Sequence, residues 1–497
     1  MNTLLELIQQ APGSATAVAL PETGTKVTYD QLRTQVAAVA DAFASAGIGP
    51  GDRVAMSLPN GLDTIVCFLA ASVAGTAAPL NPGYRYDEFL FYLEDTNAKV
   101  LVVPPQGADD ARRAAEERKI TIITAEVDGA TVKLTPAAKG KTAAPPSPDA
   151  IALVLHTSGS TGRPKRVPLR HRNLAASVQN IVRTYNLTSN DVALVAMPLF
   201  HVHGLVASTL STLLSGGTVV VPPKFNPLSF WRTVRDYRAT WYSAVPTIHS
   251  LLLARAGTER PAGAENLRFI RSCSASLSPE MMASLEKAFG APVLEAYGMT
   301  EASHQMASNP LPPAARKPGC VGPGTGVKIG IMDAAGNLLP TGTAGEVVIQ
   351  GPNVIDGYEN NPDANATSFA NGWFRTGDQG ILDADGYLQL VARIKELINR
   401  GGEKISPREI DEVLVTHPAI AEAVCFGVPH PTWGEEVSAA VVLKGTATES
   451  DILAFCKERL ADFKRPKKIH IVETIPRTAT GKIQRKAVAT ALAGGAK

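Results

Sequence analysis

The chain has 497 residues, 45% of them hydrophobic and 19% charged, a globular mixture that excludes a disordered, collagenous or coiled-coil polypeptide and is long enough for two to four domains at roughly 100 to 200 residues each. Lysine and arginine number 48 against 46 acidic residues, a net charge of +2, so the strongly basic footprint of a nucleic-acid binder is missing. The five cysteines, Cys67, Cys273, Cys320, Cys425 and Cys456, are far apart and form no CxxC pair, which excludes a disulfide framework or zinc knuckle and fits a reducing compartment.

In chain order, the N-terminus lacks the basic region and long apolar run of a secretory signal, and the terminal residues are not a peroxisomal tripeptide. Helical spacing over 29–46 and apolar runs at 53–57 and 99–103 predict a helix between strands in an α/β layer arrangement. The most apolar stretch, 65–80, is interrupted by Ser72, Gly75 and Thr76 and is too short for a bilayer; a soluble cytoplasmic protein without a membrane partner is expected. Segment 139–149, rich in Pro, Lys and small residues, reads as an exposed connection, either a domain linker or a long loop, and the apolar strand that follows at once favours the loop. Strands are predicted at 151–155, 192–196, 218–221, 240–244 and 269–272. From about 326 onward short strands and tight turns mark a small β-rich lobe. After Arg393 an α+β unit follows, with helices near 407–416 and 449–460 and strands near 421–426 and 437–443. The expected fold class is α/β, with an N-terminal domain over 1–394 and a small C-terminal domain over 395–497.

Strand 151–155 runs into His156-Thr157-Ser158-Gly159-Ser160-Thr161-Gly162-Arg163-Pro164-Lys165. Glycines and hydroxyls let backbone N–H and side-chain O–H groups approach a polyphosphate, and Lys165 adds positive charge. Pro164 and the lack of a following Ser or Thr separate this loop from the kinase-type P-loop. Together with Phe200-His201-Val202-His203-Gly204, Tyr297-Gly298-Met299-Thr300-Glu301, Gly372 to Asp378, Arg393 to Ile398, Gly401-Gly402-Glu403-Lys404-Ile405 and Pro476 to Ile483, it resembles the signature of the adenylate-forming superfamily, which includes acyl-CoA synthetases, luciferases and nonribosomal adenylation domains.

The resemblance implies two half-reactions: a carboxylate attacks the α-phosphate of ATP to give acyl-AMP and pyrophosphate, and the thiol of coenzyme A then displaces AMP. It implies that Lys482 bridges carboxylate and α-phosphate, and that Thr157, Ser158, Gly159, Ser160, Thr161, Gly162 and Lys165 hold the phosphates. It further implies that Glu301 holds Mg²⁺. Asp378 would accept the ribose hydroxyls, with Arg393 in support. Tyr297 would stack on adenine against Ser274, Ala275 and Ser276, with Glu295, Ala296, Gly298 and Thr300 in the same nucleotide site; Thr300 also counts among the catalytic groups. Lys395 matches the hinge of a mobile C-terminal lobe that brings Gly401, Gly402 and Lys404 to the CoA side, where His201 gates the tunnel. Nine basic residues against Glu473 alone in 464–497 suit anionic ATP and CoA. Arg166 stands where the family usually has Gly; it is expected in an extended strand and receives no role.

The implied acyl pocket lies near His203, Trp241, Arg271, Ser274 and His304. Hydroxyls, two histidines and an arginine suit a short anionic acid, because a buried second carboxylate needs charge-assisted partners. Segments such as FHVHGL, TWYSAVPTIH and LRFIRSCSASL are also similar to those of oxalate–CoA ligases, which points to oxalate. Malonyl-CoA synthetase and 4-coumarate-type ligases are the nearest rivals. A carrier-protein-loading adenylation domain is a rival of another class, and no carrier segment follows Lys497 to favour it. Monomer and homodimer both remain open.

Overall fold

The computed structural model describes residues 2–157, 164–478 and 483–493. Most of the expected strands and helices lie within a residue or two of their sequence positions. The 17-residue helix Tyr29–Ser45 starts at a capping box between Thr28 and Gln31 and buries Leu32, Val36, Val39, Ala40 and Phe43, the three-to-four-residue spacing of one helix face. The apolar stretch resolves into the helix Leu62–Ala74, buried on nearly every side, and the strand Thr76–Pro79. Gly75 breaks it: a Cβ there would lie 2.6 Å from the Asp52 carbonyl oxygen, so only glycine lets the chain turn at that point. Among the described residues no helix is long and apolar enough to cross a membrane.

Two compact units emerge, Met1–Ile329 with Ile349–Phe374, and Gly330–Val348 with Arg375–Lys497. The first unit holds two large mixed sheets with helices between their strands. One has seven strands in the order Thr131–Thr135, Thr121–Asp128, Ala98–Val103, Arg53–Met56, Thr76–Pro79, Ile151–Thr157, Lys165–Arg170. The other has eight, running from His304–Ser308 through Val293–Met299, Phe269–Ser272, Trp241–Ala244, Val192–Val195, Thr218–Val220 and Thr16–Leu20 to Thr25–Thr28. Both are parallel in the middle and antiparallel at their ends. Central strands such as Trp241–Ala244 and Phe269–Ser272 are buried throughout, as expected of parallel strands covered on both faces. Segment 139–149 lies inside this unit and is largely exposed.

The second unit is built on the strands Glu403–Ile405, Ile398–Arg400, Gly434–Leu443 and Ile420–His430, with Lys468–Ile471 added in parallel to Gly434–Leu443. Helices Pro407–Val415 and Glu449–Arg459 contribute Ile410, Leu414, Ile452 and Cys456 to a core with Ile398, Ile405, Val437, Val441 and Ile469.

Candidate active site

Thr157 ends the strand Ile151–Thr157 and pairs in register with Lys165 at the start of Lys165–Arg170. The hairpin therefore returns Lys165 beside Thr157. Ser158, Gly159, Ser160, Thr161 and Gly162 lie outside the described residues, as does Lys482. Thr157 Oγ1 donates to Glu301 Oε1 at 3.3 Å, and the Tyr358 hydroxyl donates to the same oxygen at 2.8 Å. Lys165 Nζ lies 4.4 Å from the Tyr358 ring centroid, a cation–π contact. Glu301 sits in the 3₁₀ turn Thr300–Ala302 and is 5% exposed. Both Thr157 and Tyr358 bind Oε1, which among the described residues leaves Oε2 for a hard cation, so the carboxylate fits Mg²⁺ chemically. No group of three or more His, Cys, Asp or Glu among the described residues could hold a metal by itself.

The wall assigned to the nucleotide comes from two adjacent strands. Glu295, Ala296, Tyr297 and Gly298 lie on Val293–Met299, leading into Thr300 and Glu301. Glu295 is nearly fully buried, and its Oε1 accepts from the Leu277 N–H at 3.0 Å; this pins the end of the loop that exposes Ala275 and Ser276. Ser274 opens that loop at φ +71°, a left-handed conformation uncommon for serine. Gly298 is required where it is, because a Cβ would lie 2.1 Å from the His304 carbonyl oxygen.

The residues assigned to the acid converge on one buried polar cluster. Parallel pairing sets Ser243 opposite Arg271 and Trp241 opposite Phe269. Arg271 is 0% exposed. Its Nε donates to the Tyr185 hydroxyl at 2.8 Å and its Nη1 to Ser243 Oγ at 2.9 Å, while Nη2 donates to His304 Nε2 at 3.0 Å and Gln305 Oε1 at 3.1 Å. All four are neutral acceptors; burial raises the Tyr185 phenol above its ordinary range and keeps its proton in place. His203 contacts Ser243 Oγ through Nε2 at 2.6 Å and Ser274 Oγ through Nδ1 at 3.0 Å, and its ring stacks on His304 with centroids 5.3 Å apart. His203, Arg271, Ser274 and His304 are thus brought together. Trp241 is fully buried and stacks on Phe269, which makes it part of the floor beneath the cluster.

His201 precedes His203, whose N–H donates to His201 Nδ1 at 3.2 Å. The following turn, His203–Leu210, is a π-helix, a form frequent at functional sites. Its approach is held by Asn60, which donates from Nδ2 to the Met197 carbonyl and accepts from the Leu199 N–H. Gly204 permits the contact, since a Cβ would lie 2.4 Å from the Pro198 carbonyl oxygen.

In the second unit, Asp378 and Arg393 face each other across an antiparallel pair and form an ion pair at 2.8 Å. Asp378 is buried, at 7% exposure, whereas Arg393 is exposed. Lys395 lies in the 3₁₀ turn Ile394–Glu396. Gly401 and Gly402, at φ +60° and +96°, form the two-residue turn between Ile398–Arg400 and Glu403–Ile405, a primed geometry that glycine favours. Lys404 is exposed beside it. Arg485, three residues past Lys482, is pinned by Asp411 Oδ2 at 2.8 Å, Glu396 Oε2 at 3.1 Å and the Cys425 carbonyl.

Sequence reasoning missed Tyr185, Ser243, Gln305, Tyr358 and Asn60. None carries a local motif, because their partners lie far away along the chain. Arg166 sits, as expected, in an extended strand, and the structure gives it contacts: its Nε lies 3.3 Å from Asp95 Oδ2 and 3.5 Å from Glu359 Oε2, and Asp95 also meets His156 at 2.9 Å. Glu359 is adjacent to Tyr358, so this network backs the residue that holds Glu301.

Residues 7–359 match the AMP-binding enzyme family, and residues 409–482 match the AMP-binding enzyme C-terminal domain. The chain is similar to the oxalate–CoA ligase of Arabidopsis thaliana, at 49% identity over 93% of each protein, and to that of Saccharomyces cerevisiae, at 45% identity over 96% of this chain and 94% of the relative. Among solved structures, ATP-bound MatB from Rhodopseudomonas palustris superposes with a TM-score of 0.92 at 31% identity, covering 100% of both chains. The chain therefore belongs to the AMP-binding enzyme family, the adenylate-forming superfamily whose motifs it carries.

Proposed function

We propose that the chain is an ATP-dependent, AMP-forming acid–CoA ligase whose acid is oxalate: oxalate, ATP and CoA give oxalyl-CoA, AMP and pyrophosphate. The observation that carries this reading is Arg271, a buried guanidinium whose partners are all neutral. A buried cation without a counter-charge is costly, and an acid with a second carboxylate supplies that charge on binding. Ser274, half-buried at the edge of the cluster and joined to it through His203, is the hydroxyl placed to donate to that second carboxylate, with the stacked ring of His304 beside it. The two oxalate–CoA ligases of similar sequence support the same assignment.

In the first half-reaction one oxalate carboxylate oxygen attacks the α-phosphorus and the bond to pyrophosphate breaks. Two anions meet, so positive charge aimed at the phosphorus is the main requirement. Lys165, Thr157 and the residues Ser158, Gly159, Ser160, Thr161 and Gly162 are assigned to the phosphates, Lys482 to the reacting oxygens, and Glu301 to Mg²⁺, which would neutralise phosphate charge. Thr300 adjoins Glu301 and is assigned to the same centre. Tyr297, with Ser274, Ala275 and Ser276 opposite, is assigned to adenine, and Asp378 with Arg393 to the ribose. In the second half-reaction the CoA sulfur attacks the acyl carbon, the bond to AMP breaks, and the thiol proton passes to solvent. We assign Lys395 as the hinge of residues 395–497, with Gly401, Gly402 and Lys404 on the CoA side and His201 at the thiol entry. Two reactions sharing one acyl site account for the need to exchange lobes.

The test is AMP release in the presence of CoA with oxalate, malonate, acetate, octanoate and 4-coumarate in parallel. Oxalate should give the highest kcat/KM. A preference for octanoate or 4-coumarate would refute the assignment.

A further inference from the structure

Three polar side chains, Ser243, His203 and Ser274, lead outward in series from Arg271, and the chemistry of the first link decides the direction of the others. Guanidinium nitrogens only donate, so Nη1 occupies a lone pair of Ser243 Oγ at 2.9 Å. Ser243 is 0% exposed, and its side-chain partners are Arg271 and His203 Nε2 at 2.6 Å. Its hydroxyl hydrogen therefore goes to His203 Nε2; the opposite polarity would bury that hydrogen without an acceptor, at a cost of about 1–3 kcal/mol. His203 then carries its proton on Nδ1 and donates to Ser274 Oγ at 3.0 Å. Once that oxygen accepts from His203, the hydrogen of Ser274 is turned away from the ring. Ser274 is only half-buried, at the mouth of its left-handed turn, so its O–H faces outward as a donor. Arg271 also sets the neighbouring ring: Nη2 donates to His304 Nε2 at 3.0 Å, which puts the His304 proton on Nδ1, beside Gly298.

We propose that Ser243 is a positioning residue that transmits the donor polarity of Arg271 through His203 to Ser274, so that the Ser274 hydroxyl hydrogen is presented to the second carboxylate of the acid. This rests on the reading of the acid as oxalate. Without the relay, Ser274 can donate back to His203 and turn a lone pair toward the anion, so the same side chain changes from attractive to repulsive. A monocarboxylate has no second charge at that point and is indifferent to the change.

Long-range proton–nitrogen spectra of the protein labelled with ¹⁵N-histidine, with His203→Asn and His304→Asn used to assign signals, read the tautomers directly and need no substrate. Both rings should show a protonated Nδ1 and a bare Nε2. A protonated Nε2 on His203 in the unmutated protein overturns the relay. In kinetics, Ser243→Ala should lower kcat/KM for oxalate roughly 10- to 100-fold and leave acetate within about threefold, while Ser243→Thr, which keeps the hydroxyl, should recover most of the loss. Equal losses for oxalate and acetate, or a folded Ser243→Thr no better than Ser243→Ala, would reduce Ser243 to a packing residue. Should the unmutated enzyme ignore oxalate, the substrate assignment fails by itself, and the histidine spectrum still decides the relay.

Discussion

Arg271 and Arg485 are both buried, and their surroundings are opposite. Arg485 is enclosed by two carboxylates, Asp411 and Glu396, and by the Cys425 carbonyl. Arg271 has a phenol, a hydroxyl, an amide oxygen and an imidazole. A guanidinium does not give up its proton, so burial leaves two outcomes: internal neutralisation, which makes a structural clamp, or a charge held for an anion from outside. His171 shows the escape available to a weaker base. Burial pushes it down to about 4, and it stays neutral, accepting from the Leu4 N–H and contacting the Ser72 carbonyl. On the proposed function, the difference separates scaffold from site without reference to any motif.

The comparison breaks most visibly at Arg485. Arg485→Met leaves Asp411 and Glu396 without their cation and should destabilise the second unit by about 3–5 kcal/mol, read from urea unfolding; a loss below 1 kcal/mol would show that the clamp is incidental. Arg271→Met should do the reverse. Its effect on unfolding should be the smaller of the two, while kcat/KM for oxalate falls roughly 100- to 1000-fold, about 3–4 kcal/mol. If Arg271→Met unfolds the protein as readily as Arg485→Met, the two arginines belong to one class.

A third experiment sharpens the contrast through pH. The folded-state value of His171, about 4, lies below the ordinary 6.5, so between these limits the unfolded chain binds a proton that the native one refuses. The stability contributed by neutral His171 is fully present above pH 6.5 and is lost as pH falls toward 4, at up to about 1.4 kcal/mol per pH unit. His171→Gln should remove that part of the slope in urea titrations at pH 5 and 7; an unchanged slope would mean that other groups carry it. The smallest effect is expected at Arg166, whose ion pairs are partly buried and lie behind Tyr358. Arg166→Ala should cost about 1 kcal/mol and leave kcat for AMP release within about threefold, whereas a larger kinetic loss would give Arg166 a part in seating Glu301.

Local chemistry was legible in the sequence. The helix period over 29–46 and the apolar strands at 53–57 and 151–155 each express a requirement met within a few neighbouring residues. Residues defined by register were not legible. Ser243 meets Arg271 across 28 positions, a contact that exists only once their parallel strands align, and Tyr185 meets it across 86 from the end of the helix His171–Thr184, once that helix has packed on the sheet. The sequence could also nominate Arg271 for the acid, but not say that its own partners would all be neutral. By itself, then, the sequence determined the fold class, the motifs of adenylate chemistry and the polar residues that we propose for the acid. Only the tertiary structure decided which buried cations are neutralised from within and which way the hydrogen bonds between them run, because counter-charges and donor polarity depend on the whole set of neighbours that packing brings together.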